Sequence, residues 1–261
     1  MTDAHLYYDV HGEGGPLLLL VHGFLSSRAQ WMPNMAALSS VARPVVVELF
    51  GHGRSPSPAD PNAYTPASYV AEFERIRVAL GTERWFVCGQ SLGAALTLRY
   101  ALDRPERFIG HIFTNSNSAF AGRGWSERVR PAMEEQARRL AADGRAVIDG
   151  HPLNPSRGSR LSPELRAAFE ADCALHDPHG IAMTGLHTVP DSSSRERAAE
   201  NVVPSLMIVG EREERFAENR RFAERTMPHL RVTALDAGHA VNIDAAAAFD
   251  AAVASFVREL M

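Results

Sequence analysis

Three segments of the sequence carry residue types that together can perform acyl transfer. Ser91 is the centre of a Gly-Gln-Ser-Leu-Gly pentad at residues 89–93. His239 follows a glycine near the end of the chain, and an acidic loop at residues 210–216 precedes it. A serine hydroxyl is a weak nucleophile until a base accepts its proton and a third group orients that base. We therefore predict that Ser91 attacks a carbonyl carbon and that His239 moves the proton.

The residues around Ser91 predict the sharp turn that such a nucleophile needs. Residues 85–88 form a short apolar run typical of a buried strand, and residues 92–102 have the alanine and leucine content of a helix. Glycines two positions before and two after the serine leave room for a crowded backbone. The amide of Leu92 then points at the group under attack, and Phe24, which follows a His-Gly pair after another apolar run, offers a second amide to the oxyanion.

The group that orients the histidine has several candidates in the sequence. The loop at residues 210–216 reads GEREERF and contains three glutamates but no aspartate. Glu213 lies third after the glycine, where the loop should begin to face the histidine, and it is our predicted acid. Glu211 and Glu214 stay open as alternatives, because three acids with two arginines are also typical of a solvated turn.

Other positions for the acid lack the right spacing or charge. Asp236 precedes His239 too closely in sequence to be the first choice. Asn115 and Asn117 follow a predicted strand at Phe108–Thr114, but their amides carry no charge that could stabilise an imidazolium.

Apolar runs that alternate with helical stretches predict the scaffold for these segments. In the first half of the chain, the strand-like runs lie at 17–21, 44–49, 85–88 and 108–114. Such alternation requires a parallel sheet with right-handed crossovers, so the predicted fold class is α/β.

No strand-like run occurs between residues 118 and 201, and such runs return afterwards. We therefore predict a core domain of residues 1–117 and 202–261, with residues 118–201 inserted as a helical cap over the ligand crevice. Phe120 and Trp125 begin this insertion and are predicted to bind substrate, although aromatic residues that pack the insertion onto the core would look the same.

Composition limits the partners of the protein. The chain has 261 residues, 45% hydrophobic and 22% charged, with a net charge of -4, which gives no reason to expect nucleic acid or an anionic membrane as partner. Its first residues lack the features of a signal peptide, and no apolar run is long enough to span a bilayer. Cys88 and Cys173 are expected to be reduced thiols in a cytoplasmic protein. Nothing in the sequence selects between a monomer and a homodimer.

Other residues that invite a function have plainer interpretations. His176, His179 and His187 match no common ligand spacing, so we predict no metal site and expect cap-loop histidines, some of them touching substrate. His22 and His52 are expected to hold loops around the site. Five arginines between residues 128 and 145 could bind an acidic substrate, but a solvated helix face explains them better.

The chain resembles the α/β-hydrolase superfamily in segments that follow the family's order and cover almost the whole sequence. They read HGEGGPLLLLVHGF, GHGRS, GQSLG, PERF, GEREERF and AGHAVNID. The resemblance implies an eight-stranded, mostly parallel sheet, a helical cap, no cofactor and a triad in the order serine, acid, histidine. HGF and GEREERF are similar to the menaquinone-pathway SHCHC synthases, which usually carry aspartate at the position of Glu213, and PERF with TNS is similar to enol-lactone hydrolases.

These features favour a serine hydrolase that cleaves a small carboxylic ester or lactone through an acyl-enzyme. One alternative is chemistry on an acidic substrate, either hydrolysis of a carbon–carbon bond or the elimination run by the menaquinone-pathway relatives. A second alternative is a non-catalytic module that binds a small ligand in the same pocket.

Overall fold

The computed structural model describes residues 4–261, and seven strands of this part of the chain form one sheet. They lie side by side in the order β1-β3-β2-β4-β5-β6-β7, and every neighbouring pair is parallel except β1 with β3. The strands are β1 (Tyr8–Val10), β2 (Leu17–Val21), β3 (Arg43–Val47), β4 (Trp85–Gly89), β5 (Phe108–Thr114), β6 (Ser205–Gly210) and β7 (Leu230–Leu235).

The predicted α/β fold is confirmed, but the strand count of eight is one too high. The segment before β2 supplies a single short strand, β1, which pairs antiparallel with β3 at the edge of the sheet. Residues 12–15 then turn directly into β2, with Gly12 and Gly15 at positive φ, so the chain has no room for a second strand there.

Ten α-helices occur within residues 4–261. They are α1 (Met35–Ser39), α2 (Pro66–Ala79), α3 (Leu92–Asp103), α4 (Trp125–Asp143), α5 (Arg145–Asp149), α6 (Pro163–Cys173), α7 (Pro178–His187), α8 (Ala217–Thr226), α9 (Val241–Asp244) and α10 (Ala246–Leu260). The segment after β2 forms a 3₁₀ helix, Arg28–Asn34, followed by the short α1. Pro33 lies inside that segment and has no amide hydrogen for a regular helical bond.

The core lies on both faces of the sheet, because all residues of β2, β4 and β6 are buried. One face packs mainly against α2 and α3, and the other packs against α1 and α10. Because helices cover both faces of the sheet, a ligand crevice is expected at the carboxyl ends of the parallel strands, which we call the open edge.

The segment between β5 and β6 contains only helices, α4 to α7, among the described residues. We call residues 118–201 the insertion. Asp172 at the end of α6 binds the core through Arg54 Nη1 at 2.9 Å and Ser27 Oγ at 2.9 Å. Gly180 in α7 lies so close to Gly51 that a β-carbon on either residue would collide with the backbone of the other. The insertion is therefore firmly docked on the open edge of the sheet.

None of the helices within residues 4–261 has the length and apolar character needed to cross a bilayer.

Candidate active site

The nucleophile turn, residues 89–93, joins β4 to α3 and carries Ser91 at its tip. Ser91 has φ 53° and ψ −116°, a backbone conformation that L-residues rarely adopt. A β-carbon at Gly93 would collide with the carbonyl oxygens of Val21 and His22, and one at Gly89 would collide with the backbone of Gly93. The two glycines therefore allow α3 to start against β2, and this close packing holds the serine in its strained conformation.

The loop after β2 lies directly against the serine. A β-carbon at Gly23 would lie 3.0 Å from Ser91 Cβ. The loop can therefore lie this close to the serine because Gly23 has no side chain. The amides of Phe24 and Leu92 have no hydrogen-bond acceptor among residues 4–261. The two predicted oxyanion donors thus flank the serine without protein partners.

Ser91, His239 and Glu213 form one hydrogen-bonded chain. Ser91 Oγ lies 2.9 Å from His239 Nε2, and His239 Nδ1 lies 2.8 Å from Glu213 Oε2. Neither Glu211 nor Glu214 bonds to His239 within the described part of the chain, and both are exposed. The structure therefore brings together the three residues predicted to form a triad, and of the three glutamates of the loop it places only Glu213 in contact with His239.

Two asparagines at the end of β5 hold the Glu213 carboxylate. Asn115 Nδ2 donates to Glu213 Oε2 at 2.6 Å, and Asn117 Nδ2 donates to Oε1 at 3.4 Å. Asn115 also bonds to both the amide and the carbonyl of Gly210, so it ties the acid to the end of β6. Sequence reasoning had set both asparagines aside because they carry no charge, and it missed that their amides can orient a charge held by another residue.

The pKa of the Glu213 carboxyl is lowered by its surroundings. Burial alone raises it, but the hydrogen bonds from His239 and Asn115 and the charges of His239 and Arg215 lower it by more. The carboxyl is therefore ionised at neutral pH, as a group must be that stabilises an imidazolium.

A cavity of about 570 Å³ opens beside Ser91 and His239. The core contributes Phe24, Gln30 and Ile243 to its wall, and the insertion contributes residues 152–161, apart from Ser156, and Phe169. The volume suits a small organic ligand, and the mixture of apolar and polar lining is common in such sites. The sequence analysis singled out none of these insertion residues, so their place in the wall was not predicted.

The two aromatic residues predicted to bind substrate lie elsewhere. Phe120 is fully buried, where it packs against Phe113 and Phe222 with ring centroids about 6 Å apart. Trp125 donates its indole N–H to the Val189 carbonyl at 3.2 Å and borders a separate groove. Both pack the start of the insertion onto its neighbours, so neither reaches the cavity beside Ser91.

The cationic side chains of α4 are also not part of this cavity. Arg138 pairs with Glu135 at 2.8 Å, and Arg130 lies 3.6 Å from Asp191. Arg145, just beyond α4, donates to the carbonyls of Cys173 and His176. The arginines that do line the cavity are Arg157 and Arg160, in a part of the insertion that the sequence did not single out, and Arg212, in the acidic loop at residues 210–216.

No group of three or more His, Cys, Asp or Glu side chains within residues 4–261 has the arrangement of a metal site. His176 is buried, His179 is exposed and His187 lies at the end of α7. Both cysteines are buried free thiols.

Comparison with protein families identifies the class. The family described as the alpha/beta hydrolase fold matches residues 16–246. The chain therefore belongs to the α/β-hydrolase family.

Individual relatives narrow the reaction class. The chain is 29% identical over 212 residues to a protein from Azorhizobium caulinodans named as the carbamate hydrolase RutD, with 78% of this chain and 76% of the relative covered. It is 24% identical to a protein from Bacillus subtilis named as a 2-succinyl-6-hydroxy-2,4-cyclohexadiene-1-carboxylate synthase, with 97% and 95% covered. The solved enol-lactonase of Burkholderia xenovorans LB400 superposes with a TM-score of 0.84 at 23% identity, with 97% and 96% covered. At this coarse level, the chain is a hydrolase of the α/β family.

Proposed function

We propose that the protein is a serine hydrolase that cleaves a small carboxylic ester or lactone. The observation that carries this proposal is the unbroken chain of hydrogen bonds from Ser91 Oγ through His239 to Glu213, at 2.9 and 2.8 Å. Distances of this length are those of a nucleophile in contact with its base and of a base in contact with its orienting acid.

In the first half of the reaction, Ser91 Oγ attacks the carbonyl carbon of the substrate while its proton passes to His239 Nε2. The imidazolium that forms is stabilised by the Glu213 carboxylate, which stays ionised. The carbonyl oxygen becomes an oxyanion between the amides of Phe24 and Leu92, and each such donor typically contributes about 3 kcal/mol. His239 then returns the proton to the leaving alcohol, and an acyl-enzyme remains.

In the second half, water attacks the acyl-enzyme and transfers a proton to His239. Collapse of the second tetrahedral intermediate releases the acid and returns the proton to Ser91 Oγ. With a lactone substrate, both products leave as one hydroxy acid. No step requires a cofactor or a metal ion.

We also propose that the insertion, residues 118–201, acts as a cap that selects the substrate. Residues 152–161 and Phe169 contribute to the wall of the cavity, and Pro152, Leu153 and Leu161 give that wall an apolar part. Small esters and lactones with short acyl groups fit a volume of about 570 Å³.

The test is hydrolysis of p-nitrophenyl acetate and butyrate by the wild type and by Ser91→Ala, with phenylmethylsulfonyl fluoride labelling located by mass spectrometry. We expect turnover by the wild type, a label on Ser91, and a loss of at least about 10⁴-fold in kcat for the variant. A wild type that neither turns over nor takes the label contradicts the proposal and would favour a binding module.

A second candidate, chemistry on an acidic substrate, is favoured by two arginines at the cavity. Arg157 and Arg160 line it, both are exposed, and neither pairs with a carboxylate among residues 4–261. Arg212, the third arginine of the lining, is compensated by Asp236 and Asp244. The uncompensated pair gives the cavity a positive mouth on a chain of net charge -4, which would attract an anionic substrate.

This candidate is tested by comparing p-nitrophenyl butyrate with mono-p-nitrophenyl succinate, which carries a free carboxylate. Acidic chemistry predicts that Arg157→Gln with Arg160→Gln raises KM for the anionic ester about tenfold and leaves the neutral ester unchanged. Arg138→Gln, on the exposed face of α4, is the matched control. If the anionic ester is not preferred, and acidic dicarbonyl compounds are not cleaved either, this second candidate is wrong.

A further inference from the structure

The oxyanion loop, residues 23–26, is held by histidines at three successive peptide units. The carbonyl of Gly23 accepts a hydrogen bond from His22 Nδ1 at 2.7 Å. The amide of Leu25 donates to His52 Nε2 at 3.1 Å. The carbonyl of Leu25 accepts from His176 Nε2 at 3.3 Å. The amide of Phe24 lies in the first of these units and points away from the Gly23 carbonyl, because the peptide is trans.

The second nitrogen of each imidazole is also bound to the backbone. Leu49 N donates to His22 Nε2, and Gly53 N donates to His176 Nδ1, at 3.0 and 2.9 Å. His52 Nδ1 donates to the Phe50 carbonyl at 3.0 Å. Because an amide only donates and a carbonyl only accepts, these partners require a neutral ring in a single tautomer at each histidine.

Burial keeps these rings neutral. It lowers the pKa of His22 and that of His176 to about 4, and it lowers the pKa of His52 well below the ordinary value. The rings pack against one another at steep angles, with centroids 5.3 Å apart from His22 to His52 and 5.2 Å apart from His52 to His176. They form one continuous support under the loop.

The backbone of the oxyanion loop needs such support. Leu25 has φ 58°, in the left-handed region that disfavours a leucine side chain. A residue keeps such a conformation only where its surroundings over-determine it. Leu25 is held at its amide by His52 and at its carbonyl mainly by His176, with a longer contact from Cys173 Sγ at 3.9 Å, so loss of either histidine bond would loosen its backbone. The neighbouring Phe24 amide would then turn from its direction.

His176 differs from the other two histidines because it belongs to the insertion. It lies between α6 and α7, 151 residues from Leu25 in sequence. The peptide unit that joins it to Asp177 is fixed at both of its polar groups, since Arg145 donates to the His176 carbonyl at 2.6 Å and Asp177 N donates to the Gly51 carbonyl at 2.9 Å. The insertion therefore presents this imidazole to the core in a defined position.

We propose that His176 is a positioning residue for the oxyanion donor, so that the insertion holds the Phe24 amide in place in addition to shaping the cavity. This inference rests on the proposed serine-hydrolase function. It assigns to the insertion a part in stabilising the transition state, which a simple cover over the cavity would not have.

Two substitutions separate positioning from packing. In His176→Gln, the side-chain nitrogen takes the place of Nε2 and keeps the donor to the Leu25 carbonyl. In His176→Asn, the side-chain oxygen takes the place of Nδ1, which keeps the acceptor for Gly53 N and loses that donor. His179→Gln, at an exposed residue three positions further on, is the matched control.

The measurement is kcat and KM for p-nitrophenyl butyrate, together with the inhibition constant of an alkyl trifluoromethyl ketone, whose adduct with serine carries an oxyanion. We expect His176→Asn to lower kcat about tenfold with KM within about twofold, and to raise the inhibition constant by the same factor. His176→Gln should stay within about threefold of the wild type in all three quantities, and His179→Gln should not differ from it.

Equal losses in His176→Asn and His176→Gln that follow a common fall in Tm would mean that the ring only packs, and the inference would be wrong. Unchanged kcat in a folded His176→Asn would also overturn it. If His176→Asn does not fold, His176→Gln decides, because positioning requires that this variant stay active. Failure of the proposed function itself is seen separately, as absent turnover in the wild type before any variant is made.

Discussion

The nucleophile turn and the acid loop are built in different ways, although their side chains meet at His239. In the nucleophile turn, residues 89–93, the backbone alone fixes the geometry: Gly89 and Gly93 permit contacts that no side chain would allow. Ser91 is held at φ 53° by the strand before it and the helix after it. All of the determinants lie within five residues and the strand they touch.

The acid loop, residues 210–216, depends on side chains from distant parts of the chain. Glu213 is fixed by Asn115, 98 residues earlier, and by His239, 26 residues later. Its own neighbours Glu211 and Glu214 are chemically equivalent to it but are exposed. A site held by backbone sterics has a short sequence pattern, whereas a site held by side chains across the sheet leaves no such pattern nearby.

The largest effect is expected where the two regions meet. Glu213→Gln keeps the shape of the side chain but removes the charge that orients His239 and stabilises its imidazolium, so kcat/KM should fall about 10³-fold. Steady-state kinetics on p-nitrophenyl butyrate measure this. Glu211→Gln and Glu214→Gln are matched controls and should stay within about twofold of the wild type. A full loss in either control would move the acid to that residue.

A substitution in the nucleophile turn should act mainly by lowering the free energy of unfolding. Gly93→Ala places a methyl group against the Val21 and His22 carbonyls, which belong to the rigid end of β2, so the free energy of unfolding should fall by about 3 kcal/mol. Urea denaturation followed by circular dichroism measures the loss. At Gly122 a β-carbon meets open space, so Gly122→Ala should change the free energy by less than about 0.5 kcal/mol. Equal stability of both variants would contradict steric control of the turn.

The acid loop should lose activity when its distant support is removed. Asn115→Ala deletes the bond of 2.6 Å to Glu213 and both bonds to Gly210, so kcat should fall about tenfold while the protein still folds. Asn117→Ala removes a weaker bond of 3.4 Å and should cost about twofold or less. The reverse order of these two effects, measured in one kinetic series, would show that Asn115 does not orient the acid.

The smallest effect is a dependence of stability on pH. Because the folded protein lowers the pKa of Glu213, its ionised form stabilises the fold at neutral pH, and this contribution disappears as the pH falls through the folded pKa. The difference in unfolding free energy between the wild type and Glu213→Gln should therefore shrink as the pH falls from about 7 to about 3. A difference that grows on acidification would contradict a lowered pKa.

This contrast explains which parts of the molecule could be predicted from the sequence. Apolar runs identified β2 and β5 with their bounds, because strands covered by helices on both faces consist mainly of apolar residues. The start of helix α7, Pro-His-Gly, has the composition of a turn, so the sequence gives no clear signal for this helix, although Asp177 caps it through the amides of His179 and Gly180.

The substrate-binding residues could not be predicted because pocket walls follow from packing between distant segments. Phe120 and Trp125 are residue types that are common in ligand pockets. In the fold, however, Phe120 packs against another aromatic ring and Trp125 donates a hydrogen bond to a backbone carbonyl. The loop at 152–161 reaches the cavity because α6 packs on the 3₁₀ helix Arg28–Asn34, a contact between segments far apart in sequence. Neither outcome is encoded by local spacing.

Chimeras that exchange the insertion between members of the family would have to respect a joint far from the reacting atoms. Gly51 in the core and Gly180 in the insertion touch through their backbones, so a donor segment with any larger residue at position 180 would be held away from the sheet. Such a graft would displace His176 along with it, since only three residues separate the two positions. Recombination libraries aimed at new specificities should therefore keep both glycines and vary residues 152–161, where sequence diversity changes the cavity without moving the joint.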